Sequence, residues 1–153
     1  TYVYAKYYRN LFKKNNKKYL SYEIVEVRLK KKTATVKIKV TQPDYYVAFT
    51  HAYYDYLNWY EDYYYMNNKT PLDSLAGNRL NRYVKRSIKK YGLEQKKRTV
   101  KFILQKTSRG WKIKKANNRI KDIAAMRNYQ AYEEAQFCWE NNEDIDECIE
   151  IFK

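Results

Sequence analysis

The chain alternates between two hydrophobic periods, one typical of helices and one typical of strands. The opening stretch TYVYAKYYRNLFKK repeats apolar residues at i, i+4 and i+8, ending at Leu11 and Phe12, and so predicts a first helix. The segment TATVKIKV at 33–40 instead alternates apolar with polar residues, and the preceding YEIVEVRL does so less regularly. Because strands have a period of two, these two segments predict a β-hairpin with one polar face.

The following segment predicts a long helix that is rich in aromatic residues. Thr41, Pro43 and Asp44 form a helix start, with Thr41 as the N-cap and Pro43 in the first turn. This helix has two interpretations: its aromatic stripe faces the core, or it lines a ligand pocket. The stripe recurs at spacings of three and four and consists of Tyr46, Phe49, Tyr53, Tyr56, Tyr60 and Tyr63.

A second helix start follows a short polar linker. Thr70 and Pro71 repeat the earlier start, and Gly92 is the predicted C-cap of the helix. The predicted buried side consists of Leu72, Leu75, Ala76, Leu80, Tyr83, Val84, Ile88 and Tyr91. Basic residues cover the rest of this helix and are our candidates for a polyanion-binding surface: Arg79, Arg82, Lys85, Arg86, Lys89 and Lys90.

The remainder of the chain predicts a second hairpin and a helical tail. KRTVKFILQK and WKIKK flank a tight turn at Gly110, and helical periodicity returns from Asn118 onward. The predicted order of elements is therefore α, ββ, αα, ββ, αα. That order, with only three glycines and two prolines in 153 residues, indicates an α+β fold rather than a many-stranded barrel.

Two segments resemble a known family. VEVRLKKKTATVKIKVTQPD at 25–44 and VKFILQKTSRGWKIKK at 100–115 are similar to NTF2-like, cystatin-like domains of secreted bacterial lipoproteins and envelope proteins. The resemblance implies a curved antiparallel sheet of about four strands packed on long helices as a cone, with Trp111 opening the last strand. We accordingly predict an NTF2-like domain at 1–117, with an acidic helical extension at 118–153 that packs on it.

Charge is distributed very unevenly along the chain. The formal net charge is +15, but residues 129–153 hold eight acidic side chains against Lys153 alone, so residues 1–128 carry +22. A basic surface of this kind indicates a polyanion, a membrane surface or the acidic tail itself as its partner. No run of apolar residues is long enough for a transmembrane helix. The chain starts at Thr1, as does either a chain trimmed of its export signal or a fragment of a cytosolic protein.

Few residues offer catalytic chemistry. His51 is the only histidine, and Asp55 follows it at i+4, a pair that is more often a surface contact than a general base. No phosphate-binding loop, nucleophile motif or metal-ligand cluster accompanies it, so we predict no enzyme, no cofactor and no metal. The ligand-pocket candidates, from the aromatic helix and the second hairpin, are His51, Asp55, Trp59, Tyr65 and Trp111.

The two cysteines bear on the compartment. A helix reversal at Asn141 and Asn142, with a cap there and a helix from Asp144, brings Cys138 and Cys148 within the distance that a disulfide requires. In an oxidising compartment the two bond, whereas in the cytosol they stay as reduced core thiols.

Two functions follow from these observations. The first is a non-enzymatic binding or assembly module, secreted or anchored to the cell envelope, that takes a protein or small-molecule ligand in an aromatic-lined cone. The second is a basic module that binds nucleic acid or another polyanion. The sequence leaves open a homodimer as a further partner.

Overall fold

The computed structural model describes residues 5–114 and 128–152, and it confirms the predicted α+β class. The predicted helical positions Ile120 to Ala124 lie outside the described residues. The helices are α1 (Ala5–Tyr19), α2 (Tyr46–Asn67), α3 (Asp73–Tyr91), α4 (Asn128–Glu140) and α5 (Ile145–Phe152); the strands are β1 (Ser21–Lys30), β2 (Thr33–Asp44), β3 (Glu94–Thr107) and β4 (Gly110–Ile113).

The chain divides into two compact units, each assembled from segments that are distant in sequence. A helical unit comprises 1–14, 44–94 and 127–153, and a sheet unit comprises 15–43 and 95–126. The predicted boundary between residues 117 and 118 stays a prediction.

The sheet unit contains the predicted hairpins in the order β1-β2-β3-β4. β1 and β2 pair antiparallel, but the register shifts between Ile24 and Glu26, which leaves Val25 as an extra residue. This β-bulge explains the irregular alternation of the first strand, because it returns Val27 and Leu29 to the face of Tyr22 and Ile24. β3 and β4 form the second hairpin, and Gly110 at φ 100° makes its turn.

The pairing gives the sheet one apolar and one polar face. β3 lies beside β2 in the sheet, and the amide of Lys106 donates at 2.9 Å to the carbonyl of Lys32, in the turn before β2. On the apolar face, Ala34, Val40 and Val100 are buried. The polar face carries Ser21, Glu23, Glu26, Arg28 and Lys30 of β1, Thr33, Thr35, Lys37, Lys39 and Thr41 of β2, Lys97, Thr99, Lys101, Ile103 and Gln105 of β3, and Lys112 of β4.

In the helical unit, α2 packs against both α3 and α4. The first half of the predicted aromatic stripe is buried there, since Tyr46, Phe49, Tyr53 and Tyr56 are almost fully enclosed. Phe12 of α1 stacks on Phe49 with ring centroids 5.2 Å apart, and Tyr53 meets Tyr132 of α4 edge-on at 5.1 Å. This half of the stripe is therefore core.

Both helix starts were predicted too early. Thr41 does not cap α2, because β2 continues to Asp44 and the helix begins at Tyr46. The pyrrolidine of Pro43 keeps Gln42 extended, and the carboxylate of Asp44 accepts the Tyr46 amide at 3.0 Å.

Similarly, α3 begins at Asp73 rather than at Pro71. Leu72 (75% exposed) and Leu75 (39% exposed) therefore lie outside the core, contrary to prediction, because they belong to the cap and first turn. Gly92 does cap the helix, and its amide bonds to the Ile88 carbonyl.

The tail forms a short helical hairpin closed by the predicted disulfide. Cys138 and Cys148 are bonded, with their Cα atoms 6.1 Å apart, and both side chains are fully buried. Asn142 adopts φ 53° in the reversal. The cap of α5 is Asp144 rather than an asparagine, because its carboxylate accepts the Asp146 amide at 2.9 Å.

Candidate binding surfaces

His51 lies in α2, enclosed by other helices of the same unit. Its side chain is 7% exposed, and its Nε2 is 3.2 Å from Oδ1 of Asp146 in α5. Its ring stacks on Tyr91 with 3.9 Å between centroids. Burial lowers the pKa of His51, although the carboxylates of Asp146 and Asp55 act in the opposite direction. The imidazole is therefore neutral at pH 7 and packed as part of the helical core.

The predicted neighbour of His51 has a different partner. The carboxylate of Asp55 bonds to Arg86 of α3, with 2.6 Å between Oδ2 and Nη2. Sequence spacing could not reveal the contact between His51 and Asp146, because no local pattern connects α2 with α5.

The other ligand-pocket candidates belong to the second half of α2 and to β4. Trp59 is half-buried beneath the guanidinium of Arg79, which lies 5.0 Å from the ring centroid. Tyr65 is 75% exposed in the last turn of α2, and Trp111 belongs to β4 of the sheet unit. At about 1.5 Å per helical residue, His51 and Tyr65 are separated by roughly 21 Å along α2. These two therefore do not line one small-molecule pocket.

The six basic candidates of α3 divide into two groups. Arg79 lies over Trp59, Arg86 bonds to Asp55, and Lys90 donates to the Tyr91 hydroxyl at 2.8 Å. This hydrogen bond is the main reason that the pKa of Lys90 is raised. The other group is exposed and has no polar partner among the described residues: Arg82, Lys85 and Lys89.

A half-buried carboxyl group joins α4 to α2. Glu134 accepts a hydrogen bond from the Tyr46 hydroxyl and another, at 2.8 Å, from Nε2 of Gln130. Burial raises the pKa of Glu134 to about 7. This carboxyl group is thus only partly ionised at neutral pH.

The densest group of cations lies on the polar face of the sheet. An antiparallel ladder continued without a bulge from the bond between Lys106 and Lys32 would place Lys37 opposite Lys101. Lys39 follows on the same face of β2, and Lys97 lies on the same face of β3. We call these four residues of the inner strands the lysine cluster: Lys37, Lys39, Lys97 and Lys101. The sequence predicted that Lys37 and Lys39 share a polar face, but not that β3 would pair with β2.

One end of the lysine cluster opens into a groove. The groove has a volume of about 560 Å³ and spans the paired ends of β1, β2 and β3. The cations that line it are Lys39, Lys97 and Arg98, and the carboxylate is that of Glu23. Ser21, Thr41 and Thr99 add aliphatic hydroxyl groups, and Tyr22 and Val40 complete the lining.

Two further properties concern the described residues alone. Within 5–114 and 128–152, no helix is both long enough and apolar enough to cross a bilayer. Over the same ranges, no group of three or more His, Cys, Asp and Glu side chains is arranged to hold a metal ion.

Comparison with known proteins shows one structural relationship. A crystal structure of ycdA from Bacillus subtilis, described as a "putative lipoprotein", superposes on this chain with a TM-score of 0.50 and 19% sequence identity. The match covers 82% of this chain and 39% of the Bacillus chain, so our chain corresponds to well under half of that protein. The two share a fold. No protein-family model and no curated protein sequence matches the chain.

Proposed function

We propose that this chain is a non-enzymatic, NTF2-like binding module of the bacterial cell envelope, and that its ligand is an anionic polymer held on the polar face of the sheet. The observation that carries the proposal is the lysine cluster. Two lysines directly opposite each other on an antiparallel pair destabilise a sheet. An anion bound between Lys37 and Lys101 relieves this repulsion, so the cluster favours a polyanionic partner.

Residues of the same face neutralise the cluster only in part. Glu26 and Glu23 of β1 lie opposite Lys37 and Lys39, but Glu26 is also paired with Arg28. The described part of the sheet unit, 15–43 and 95–114, contains sixteen lysines and arginines against two glutamates. This excess provides the electrostatic footprint of a polyanion-binding surface.

The composition of the face favours recognition of a charged backbone over recognition of bases. Proteins that hold single-stranded nucleic acid stack its bases on aromatic rings. The described residues of the polar face are lysine, arginine, threonine, serine, glutamate and glutamine, with Ile103 as the apolar member. An aromatic ring, Tyr22, contributes only to the groove at the end of the face. A polymer bound through its phosphate or carboxylate groups alone suits this surface better than a nucleic acid.

Two observations support an envelope location. The disulfide between Cys138 and Cys148 is of a kind that persists in oxidising compartments outside the cytosol. The Bacillus neighbour with the same fold is described as a lipoprotein candidate. The enclosed position of His51, neutral and packed against Tyr91, supports a binding role rather than a catalytic one.

The test compares two triple variants of equal charge change. K37Q/K39Q/K101Q removes three cations from the sheet, and R82Q/K85Q/K89Q removes three exposed cations from α3. Binding to long-chain polyphosphate is measured by fluorescence anisotropy at several salt concentrations. The sheet variant should lower the slope of log affinity against log salt by roughly two, since each lost phosphate contact contributes about 0.7 to 0.9.

The α3 variant is the matched control, because a response to net charge alone would affect both proteins equally. It should retain most of the wild-type affinity and slope. Equal losses in the two variants, or a larger loss in the α3 variant, would show that the lysine cluster is not the binding surface.

A further inference from the structure

The groove at the end of the sheet has a regular arrangement of side chains. Ser21 pairs with Thr41, and Glu23 pairs with Lys39, across β1 and β2. Lys97 and Thr99 of β3 line the same groove, and an unbroken ladder between β2 and β3 would place Lys97 beside Thr41 and Thr99 beside Lys39. Neighbouring strands are about 4.8 Å apart, and residues two positions apart along a strand are separated by roughly 6.8 Å. These side chains therefore form a compact grid.

Within the grid, ammonium and hydroxyl groups alternate. Lys39 and Lys97 occupy one diagonal of the square formed by β2 and β3, and Thr41 and Thr99 occupy the other. Diagonal neighbours on a sheet face lie about 7 to 8 Å apart, within the reach of long side chains. Two flexible ammonium groups can therefore converge on one oxyanion from opposite corners, while the two hydroxyls donate from the others.

The carboxylate of Glu23 gives the groove a second chemical character. It lies opposite Lys39 on the outer strand, at the side of the grid away from Lys97. A carboxylate repels a phosphate but accepts hydrogen bonds from hydroxyl groups. A volume of about 560 Å³ lies within the range of small-molecule sites, so the groove has room for more than one phosphate group.

We propose that this groove is a specific site for a phosphate ester of a polyol or sugar. The phosphate lies between Lys39 and Lys97, where the hydroxyls of Thr41 and Thr99 donate to its oxygens. A neighbouring polyol hydroxyl donates to Glu23. This site deepens the proposed function and rests on it, since it assigns the repeating unit that the sheet recognises within its polymer.

The experiment titrates the intact protein with glycerol 3-phosphate, inorganic phosphate and glycerol, using isothermal calorimetry at fixed ionic strength. The wild type should bind glycerol 3-phosphate saturably and at least several-fold more tightly than inorganic phosphate. K39Q/K97Q should weaken this binding by at least tenfold. Glu23→Ala, which removes the acceptor, should remove most of the preference for the ester over inorganic phosphate.

The matched control is K85Q/K89Q, which removes two exposed lysines of α3 that do not belong to the lysine cluster or to the groove. It should change affinity for glycerol 3-phosphate by no more than about threefold, the factor expected for screened charges at some distance. Circular dichroism spectra of all variants verify that each is folded.

The outcomes separate the site from the broader proposal. Equal weakening by the two lysine pairs, with polyphosphate binding retained by the wild type, would overturn the groove site and leave the proposed function standing. The groove site would also be overturned if the wild type bound polyphosphate but showed no saturable binding of glycerol 3-phosphate or inorganic phosphate. Loss of both polyphosphate and ester binding in the wild type would refute both ideas.

Discussion

The disulfide of the tail hairpin should contribute measurably to stability. Cys138 and Cys148 are ten positions apart, so the bond closes a small loop in the unfolded chain. The chain-entropy relation for a loop of that size gives about 2.7 kcal/mol at 25 °C. Because Cys138 lies in α4, which packs on α2, the loss should appear in the unfolding of the helical unit rather than of the tail alone.

Urea denaturation followed by circular dichroism measures this contribution. Oxidised and reduced wild-type protein should differ by roughly 2 to 3 kcal/mol in the free energy of unfolding. The reduced protein should also show a larger m-value, because its unfolded chain is less compact. C138A/C148A should fall below the reduced wild type by a further amount that reflects lost sulfur packing, since both side chains are fully buried.

The comparison between oxidised and reduced wild type isolates loop closure, because no atom other than hydrogen changes. A difference under about 0.5 kcal/mol would refute the reasoning from chain entropy. It would indicate that the reversal at Asn142 already holds the hairpin closed in the unfolded chain.

Two further predictions concern α2 and its neighbours. Tyr56→Ala should lower the free energy of unfolding by roughly 3 to 5 kcal/mol, because Tyr56 is buried in the helical core. Trp59→Ala should lower it clearly less, because Trp59 is only half-buried. Equal small losses in urea denaturation would place the stripe outside the core. The pKa of Glu134, raised by burial from 4.5 to about 7, means that the folded state binds a proton more tightly than the unfolded state. The stability that protonated Glu134 contributes is present below pH 4.5 and is lost as the pH rises to about 7. Glu134→Gln should therefore flatten the decline in stability between these two pH values. An unchanged pH profile of stability would contradict the raised pKa of Glu134.

Local patterns predicted most of the architecture. The 3/4 spacing of Tyr46, Phe49, Tyr53 and Tyr56 predicted a buried helical face, and the period-two alternation of 33–40 predicted a strand with a polar side. These predictions succeeded because each pattern reflects contacts that depend on a single element. The disulfide was predicted for the same reason, since its cysteines belong to one short hairpin.

The failures and omissions arise where two signals compete or where distant segments meet. Pro43 is compatible with both a helix start and an extended residue, and in the structure it belongs to β2, which continues to Asp44. The partner of His51 could not be inferred, because Asp146 reaches it only through the packing of α5. The lysine cluster was missed for a similar reason, since Lys37 and Lys101 belong to separate predicted hairpins.

The assembly of the helical unit from three separate segments constrains how the protein folds during synthesis. α2 packs against α3, which follows it closely in sequence, but also against α4, which begins only at Asn128. Until Asn128 and the residues that follow it are available for folding, the face of α2 that binds α4 stays exposed. Contacts between such distant segments slow folding and leave apolar surface exposed in the meantime. The nascent protein is thus most prone to aggregation after α3 has formed and before the tail arrives.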